Sequence, residues 1–183
     1  MSCPRIQLER TGLLVVDVQE RLLPHIHGGA AVADRCRCLI SGCRELGLPI
    51  VVTEQNPGKL GSTVPTVAGA LPEQAPVYDK TRFSAMIEPV RAHLQGWGRD
   101  TVLVCGIETH VCVLQSVLDL VAAGYRAAVV ADAVGSRRPT DHETALVRMA
   151  SAHVLTATVE MALLEMVGDA RDQSFRRILP LIK

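Results

Sequence analysis

Five short apolar runs alternate with longer stretches of helical periodicity along this chain. The runs are GLLVVDV (12–18), PIVVTE (49–54), DTVLVCG (100–106), RAAVVAD (126–132) and AHVLTAT (152–158). Each has the length of a strand, and unbroken apolarity is typical of strands covered on both faces. Helices are predicted over 30–46, 86–97, 109–123, 139–151 and 158–167 and near 172–182. The repeated order of strand and helix predicts a three-layer α/β/α fold around a central, mostly parallel sheet with right-handed crossovers.

The chain has the length of one ordinary domain. It contains 183 residues, of which 48% are hydrophobic, and we expect residues 1–183 to fold as a single domain around one core. The segment 54–76 interrupts the regular alternation with four prolines and three glycines. Because it is too long for a plain connector, we expect it to belong to a functional site.

Charge and hydropathy narrow the classes of partner. Nineteen Lys and Arg residues balance nineteen Asp and Glu residues, so no overall field favours nucleic acid or an anionic membrane. The start of the chain lacks the apolar core of a signal peptide, and no apolar run has the length of a membrane span. We therefore expect a cytoplasmic protein that acts on a small molecule, with neither nucleic acid nor membrane as a partner.

The six cysteines, at positions 3, 36, 38, 43, 105 and 112, do not form a disulfide framework. They fall in two regions of a chain that is too large to need disulfides for stability, so most are expected to be free thiols. No C-x-x-C motif occurs, which argues against a thioredoxin-type redox pair. Cys36 and Cys43 fit the buried stripe of a helix.

Three polar residues fall where the predicted strands end. Asp17 ends the first run, Lys80 follows a short extended piece, and Cys112 lies on the turn that enters a helix. Ligands of open parallel sheets bind at the carboxyl ends of the strands, so these residues are candidates for chemistry. By sequence alone Cys112 also fits a small core residue, Asp17 a turn carboxylate and Lys80 a surface charge.

These three side chains would form a nucleophilic site if they met. A helix N-terminus and a nearby cation both favour a thiolate, so we expect Cys112 to be activated by its position and by Lys80. Asp17 would take the thiol proton and return it to a leaving group. Gln19 and Gln55 are candidates to hydrogen-bond a substrate near the strand ends.

Several blocks resemble one known family. LLVVDVQ, VVTEQNPGKLGSTVP, DKTRFSA, GIETHVCV and ADAVGSR are similar, in this order, to blocks of the isochorismatase-like cysteine hydrolases, and most of all to isochorismatase-domain-containing proteins. The match runs through almost the whole chain. It implies a Rossmann-like hydrolase fold, a homo-oligomer of two or more subunits, and hydrolysis of a small amide or carbamoyl compound through a cysteine thioester.

The resemblance also assigns roles to residues. The Asp, Lys and Cys triad of the family falls on Asp17, Lys80 and Cys112. The non-proline cis peptide of the family would join Ile107 to Glu108, and the backbone N–H groups of Glu108 and Cys112 would form the oxyanion hole. Phe83, within the KTRFSA match, is a candidate pocket wall, although it also fits a core position.

No cofactor or metal is predicted. The nicotinamidases of this superfamily bind a metal through an Asp and an H-x-H motif after the second strand, where this chain has no histidine. The pair His25 and His27 stands in the loop after Asp17, where histidines are more often solvated than bound to zinc.

Family members that cleave isochorismate lack the nucleophilic cysteine, so Cys112 argues against that reaction.

The same residues argue against several other functions. A cysteine-dependent phosphatase needs an arginine six residues after the cysteine, where this chain has Leu118, and the first strand is not followed by a dinucleotide-binding glycine motif. A Cys112–His110 dyad is disfavoured because the two residues are only two positions apart. The alternatives that stay open are a catalytically silent oligomeric scaffold and a redox sensor that uses Cys105 and Cys112.

Overall fold

The computed structural model describes residues 5–183, so Cys3 lies outside the described part of the chain. A six-stranded sheet forms the centre of the molecule, in the order β3-β2-β1-β4-β5-β6. Its strands are β1 Thr11–Val16, β2 Ile50–Gln55, β3 Val77–Lys80, β4 Thr101–Ile107, β5 Arg126–Gly135 and β6 Leu155–Ala157. All five strand pairings are parallel, which confirms the predicted fold class.

Helices cover both faces of the sheet. They are α1 Gly29–Glu45, α2 Pro57–Leu60, α3 Pro65–Ala68, α4 Glu88–Gly96, α5 Leu114–Ala122, α6 Pro139–Ser151, α7 Val159–Val167 and α8 Gln173–Ile182, with 3₁₀ turns at Leu8–Arg10 and Leu23–His25. The apolar stripes of α1, α3, α7 and α8 pack on one face, and those of α4, α5 and α6 pack on the other. Within residues 5–183 no helix is both long enough and apolar enough to cross a bilayer.

The predicted helix over 109–123 is two elements in the structure. Residues Thr109–Val113 form a wide π-type turn, and only Leu114–Ala122 is α-helical. The wide turn is closed by a hydrogen bond from the Val113 N–H to the Glu108 carbonyl, 3.1 Å long. Hydrophobic periodicity does not distinguish a π-type turn from the first turn of an α-helix, which is why the sequence predicted one helix.

The segment 54–76 is tied to the end of β1. It contains the one-turn helices α2 and α3, and its residue Thr63 forms a bridge with Gln19. Further backbone hydrogen bonds join Glu20 to Ser62 and Val64 to Val18. The segment is therefore an ordered brace beside the carboxyl ends of β1 and β2.

Gly106 allows two strand ends to come together. It lies near the end of β4 with φ +123°, and a Cβ atom at this position would collide with the carbonyl of Val16 on β1. Only glycine combines this φ with such a close approach. The carboxyl ends of β1 and β4, which carry Asp17 and the Cys112 turn, thereby lie side by side.

Candidate active site

Asp17 is fully buried directly after β1. Its backbone has φ +52°, a left-handed conformation that Asp tolerates better than most residues. The Thr53 hydroxyl donates to Oδ1 at 2.8 Å, and the Lys80 ammonium donates to Oδ2 at 2.6 Å. One carboxylate oxygen is therefore held from β2 and the other from β3.

Lys80 is buried at the end of β3. Besides Asp17, its Nζ donates to Oε1 of Gln55 at 2.7 Å and to the carbonyls of Arg82 at 3.1 Å and Phe83 at 2.9 Å. A buried ammonium requires such partners, because burial of an unpaired charge is costly. The contacts fix one positive charge beside the Asp17 carboxylate.

Cys112 completes a group of three side chains. It lies on the wide turn, 6% exposed, with its thiol beside the Asp17 carboxylate and the Glu108 backbone, both of which act on its pKa. The structure thus brings together the three residues that the strand ends singled out, with the carboxylate between the ammonium and the thiol.

The surroundings of Cys112 favour the thiol, contrary to the activated thiolate that we expected from the sequence. Burial and the charge of Asp17 raise the pKa of Cys112 to about 12, and the opposing effect of Lys80 is smaller. Burial also raises the pKa of Asp17 above its usual range, against the effects of Lys80 and Thr53. A raised pKa makes the carboxylate a stronger base, so the arrangement favours proton transfer during attack.

The peptide bond between Ile107 and Glu108 is cis. It stands where the resemblance placed it, at the end of β4. The Glu108 carbonyl accepts from the N–H groups of Val111 and Val113, each at 3.1 Å. The backbone of Glu108 is therefore bound to the turn that presents the sulfur.

The weaker pocket candidates have other roles. The Gln19 amide is fully buried and donates to the carbonyls of Gln55 at 3.1 Å and Gly61 at 2.6 Å, and it accepts from the Gln55 N–H at 2.7 Å. Gln55 holds Lys80 and donates to the Thr81 carbonyl at 2.8 Å. Both glutamines therefore brace the site, and their contact with a substrate stays a prediction. The Phe83 ring is 54% exposed, so it is not a core residue.

The histidines near the site do not contact Cys112. Nδ1 of His110 lies 3.0 Å from Oγ of Ser136, and its Nε2 lies 4.0 Å from the Asp141 carboxylate. His25 and His27 line two different clefts. Among residues 5–183 no group of three or more His, Cys, Asp or Glu side chains has the geometry of a metal site.

Several residues around the site were missed by sequence reasoning. Thr53 binds Asp17, and the Ser116 hydroxyl donates to the Cys112 carbonyl at 2.6 Å while accepting from the Ala85 N–H at 2.7 Å. The i, i+4 spacing of Cys112 and Ser116 was a usable signal, because a serine hydroxyl can bond the carbonyl four residues earlier. No sequence pattern indicated Thr53.

Two open clefts are lined by residues that belong to the group of three side chains or contact it. One, of about 320 Å³, is lined by Leu22, His25, Ile26, Glu108 and Arg137. The other, of about 380 Å³, is lined by Lys80 and by residues of β3 and the 54–76 segment. The part of that segment beside Lys80 therefore borders the candidate site, in line with its predicted role.

Cys105 and Cys112 do not form a pair. Cys105 packs with the core under α1, whereas Cys112 packs with the core on the opposite face of the sheet. Cys105 instead lies beside Cys36, whose thiol donates to the Ala133 carbonyl at 3.1 Å, and the five cysteines described are all free thiols. The alternative of a redox sensor that pairs Cys105 with Cys112 is therefore wrong, because the two thiols lie on opposite faces of the sheet.

Known relatives match nearly the whole chain. The family model described as "Isochorismatase domain" matches residues 11–160. Isochorismatase family protein 1B of Dictyostelium discoideum is 34% identical over all of this chain and 90% of its own length. The secreted isochorismatase effector Isc1 of Phytophthora sojae is 39% identical over 93% of this chain and 83% of its own length.

Solved structures share the fold. The MAR1 ribonuclease of Caenorhabditis elegans superposes with a TM-score of 0.94 at 38% identity, covering 98% of this chain and 92% of its own. The YcaC gene product of Escherichia coli, described as an octameric hydrolase of unknown specificity, has a TM-score of 0.91 at 21% identity over 99% and 92% of the two chains. At that identity the second similarity concerns the fold alone.

Proposed function

The chain belongs to the isochorismatase family, and from that premise we propose that it is a cysteine hydrolase of small amide or carbamoyl compounds. The observation that carries the proposal is the position of the Asp17 carboxylate, which contacts both the Lys80 ammonium and the Cys112 thiol in one buried site. A nucleophile, a base within hydrogen-bond reach and a group that orients the base are the parts that covalent acyl transfer needs.

In the first half-reaction Cys112 attacks the substrate carbonyl. Asp17 takes the thiol proton while the Sγ–C bond forms and the carbonyl π electrons move to oxygen. The C–N bond then breaks, and Asp17 returns the proton to the leaving nitrogen, so ammonia or an amine departs. The acyl group remains on Cys112 as a thioester.

In the second half-reaction water hydrolyses the thioester. Asp17 accepts a proton from the attacking water, and the S–C bond breaks as the sulfur regains a proton. Lys80 keeps its positive charge beside Asp17 throughout, which favours the carboxylate at the start of each half-reaction. The net change is hydrolysis of one C–N bond.

The tetrahedral intermediates carry a negative charge on oxygen. We assign its stabilisation to the backbone N–H groups of Glu108 and Cys112. The backbone of Glu108 already reaches the sulfur, so an atom bonded to that sulfur would lie beside it. One such donor is commonly worth about 3 kcal/mol in the transition state.

RNA cleavage is the second candidate, because the similar structure from Caenorhabditis elegans is described as a ribonuclease. The amide reaction is favoured because the three side chains are buried, where a small molecule fits better than a polynucleotide. The balance of nineteen basic and nineteen acidic residues also supplies no overall field toward a polyanion.

A cytoplasmic location stays a prediction, and one relative is named as a secreted effector.

The test of the proposed function uses an activated acyl donor, p-nitrophenyl acetate. We expect a burst of p-nitrophenolate and an acetyl group on Cys112, detected by peptide mass spectrometry, with the Cys112→Ala variant showing neither. Cys105→Ala is the matched control, because Cys105 lies on the opposite face of the same sheet, and it should keep the burst. A panel of primary amides and carbamoyl compounds, with RNA beside them, then identifies the class of substrate.

The outcomes separate the candidate functions. A burst that survives in Cys112→Ala rules out the cysteine mechanism. Cleavage of RNA that persists in Cys112→Ala, without turnover of any amide, supports the ribonuclease. A wild-type protein that is never acetylated and turns over nothing supports the scaffold.

We further propose that the protein is a homo-oligomer. Val77 and Phe83, 46% and 54% exposed, lie on or just after the edge strand β3 near Lys80, where a second subunit would cover them. Light scattering that shows only a monomer at micromolar concentration would contradict this proposal.

A further inference from the structure

The turn that presents Cys112 has a geometry that an ordinary helix start does not have. Residues Thr109–Val113 are wound as a single π-type turn, and such turns occur frequently at functional sites. The turn decides where the sulfur lies relative to Asp17 and to the Glu108 N–H. Whatever holds the turn therefore acts on the nucleophile.

Two side-chain hydrogen bonds hold the turn at its beginning. Oγ1 of Thr109 lies 3.0 Å from Nδ1 of His142, a residue in the first turn of α6. Nδ1 of His110 lies 3.0 Å from Oγ of Ser136, the residue directly after β5. Two successive residues of the turn are thus bound by one short segment, residues 136–142, outside the group of three.

Burial makes the loss of either hydrogen bond energetically costly. Thr109 is fully buried and Ser136 is 2% exposed, so loss of either partner would leave a polar atom with little access to water. Burial also lowers the pKa of His142, which favours the neutral ring at pH 7. A neutral ring has one nitrogen that donates and one that accepts, and a hydroxyl partner suits either tautomer.

The far end of the turn is held separately. The Ser116 hydroxyl bonds the Cys112 carbonyl at 2.6 Å, so the nucleophile lies between two anchored points. A displacement of about 1 Å at a reacting atom can cost roughly 100-fold in rate. Hydrogen bonds that fix the beginning of the turn are therefore expected to affect the chemical step more than substrate binding.

We propose that His142 and Ser136 are positioning residues that hold the nucleophile turn through Thr109 and His110. The inference rests on the proposed function, because it assumes that Cys112 is acylated. It adds two residues that neither touch Cys112 nor belong to the predicted triad.

The first experiment measures acylation of Cys112 by p-nitrophenyl acetate in the full chain. Thr109→Val and His142→Leu should each slow the burst by about 10-fold to 100-fold with little change in the half-saturating ester concentration. The double variant should be no slower than the slower single variant, because both remove the same interaction. Additive losses would overturn the pairing of these two residues.

Replacement of His142 by asparagine or by glutamine distinguishes loss of the hydrogen bond from loss of side-chain volume. The amide of asparagine stands near the place of Nδ1, whereas that of glutamine stands near Nε2. Because Nδ1 makes the contact with Thr109, His142→Asn should recover most of the burst rate and His142→Gln should not. If the His142 variants do not fold, the pair Thr109→Ser and Thr109→Val tests the same bond from its other end, with recovery expected for serine.

The same design applies to the second bond. Ser136→Ala should slow acylation, and His110→Asn should be faster than His110→Gln. Ser151→Ala is the matched control, because its hydroxyl bonds the Val147 carbonyl within α6 at 3.0 Å and does not contact the turn. This control should keep the wild-type burst rate.

Two results would contradict the inference in different ways. If Cys112→Ala abolishes the burst while Thr109→Val, His142→Leu and Ser136→Ala all acylate at the wild-type rate, the inference alone is overturned. If Cys112→Ala keeps the burst, the proposed function fails and the inference fails with it.

Discussion

At the residue scale, the state of the Cys112 thiol follows from competition between its surroundings. Lys80 favours the thiolate, but burial and the Asp17 charge both favour the thiol and together prevail. Sequence reasoning identified the cation and the helix start, and it could not weigh them against burial. In the proposed mechanism Cys112 therefore becomes a nucleophile only when Asp17 removes its proton.

Replacement of Asp17 should separate acidity from catalysis. In Asp17→Asn the negative charge that raises the pKa of Cys112 is gone while Lys80 remains, so the thiol should ionise about one pH unit or more below the wild-type thiol. Turnover should nevertheless fall roughly 1,000-fold or more, because the base is lost. The rate of iodoacetamide alkylation of Cys112 against pH, beside steady-state turnover, measures both effects.

The control for this prediction is Asp34→Asn, which changes an exposed carboxylate on α1. It should alter neither the alkylation profile nor turnover. An Asp17→Asn protein whose Cys112 ionises at higher pH than the wild type would contradict the charge arrangement described above.

At the element scale, the end of β1 and the 54–76 segment are joined through one side chain. The side-chain amide of Gln19 hydrogen-bonds the backbone of Gln55 and Gly61 through both its nitrogen and its oxygen. Gln55 in turn hydrogen-bonds Lys80. The order of the sheet places β2 between β1 and β3. Gln19 therefore supports the position of Lys80 without touching it.

Gln19→Leu should destabilise the fold. Leucine has a similar size but leaves three backbone groups without a partner, and a buried polar group without a partner costs about 1 to 3 kcal/mol. Since the segment is partly exposed, we expect a loss of about 2 kcal/mol in the free energy of unfolding. Urea denaturation measures the loss, and Gln95→Leu on the exposed face of α4 should change stability by less than about 0.5 kcal/mol. An unchanged Gln19→Leu protein would show that water replaces the amide.

Predictions from the sequence were most accurate for elements with a strong pattern. Helix α6 has the predicted bounds, α7 begins one residue later than predicted, and α1 is shifted by one residue at both ends. Strand β5 extends three residues beyond the predicted run, to Gly135. The prediction stopped too early because the polar residue Asp132 ends the apolar pattern. That carboxylate is held at the strand by Arg35 and the Val159 N–H, a pairing that no local pattern contains.

At the scale of the whole molecule, several thiols are buried in the two cores. Burial raises the pKa of Cys43, and the pKa of Cys105 is raised by the neighbouring Cys36 and by burial. Cys112 follows the same direction. The native protein therefore keeps these protons at pH values where the unfolded chain releases them.

Stability should fall as the pH rises above about 9, the ordinary range of a thiol. Above that pH the unfolded state binds fewer protons than the native state, so the free energy of unfolding decreases by up to about 1.4 kcal/mol per pH unit for each such thiol. Cys43→Ala should show a shallower decrease between pH 9 and the onset of alkaline unfolding. Val90→Ala, a core deletion without a titrating group, should be less stable at every pH with an unchanged slope. Equal slopes in the wild type and Cys43→Ala would contradict the prediction.

The order of strands and helices, the parallel sheet and the three residues at its rim could be predicted from the sequence, because apolar periodicity and strand ends are local properties of the chain. The tertiary structure alone decided the protonation of Cys112, the bracing roles of Gln19 and Gln55, and the hydrogen bonds of Thr109 and His110. These depend on burial and on partners distant in sequence. His142, for example, meets Thr109 across 33 positions of the chain, and no local pattern encodes that distance.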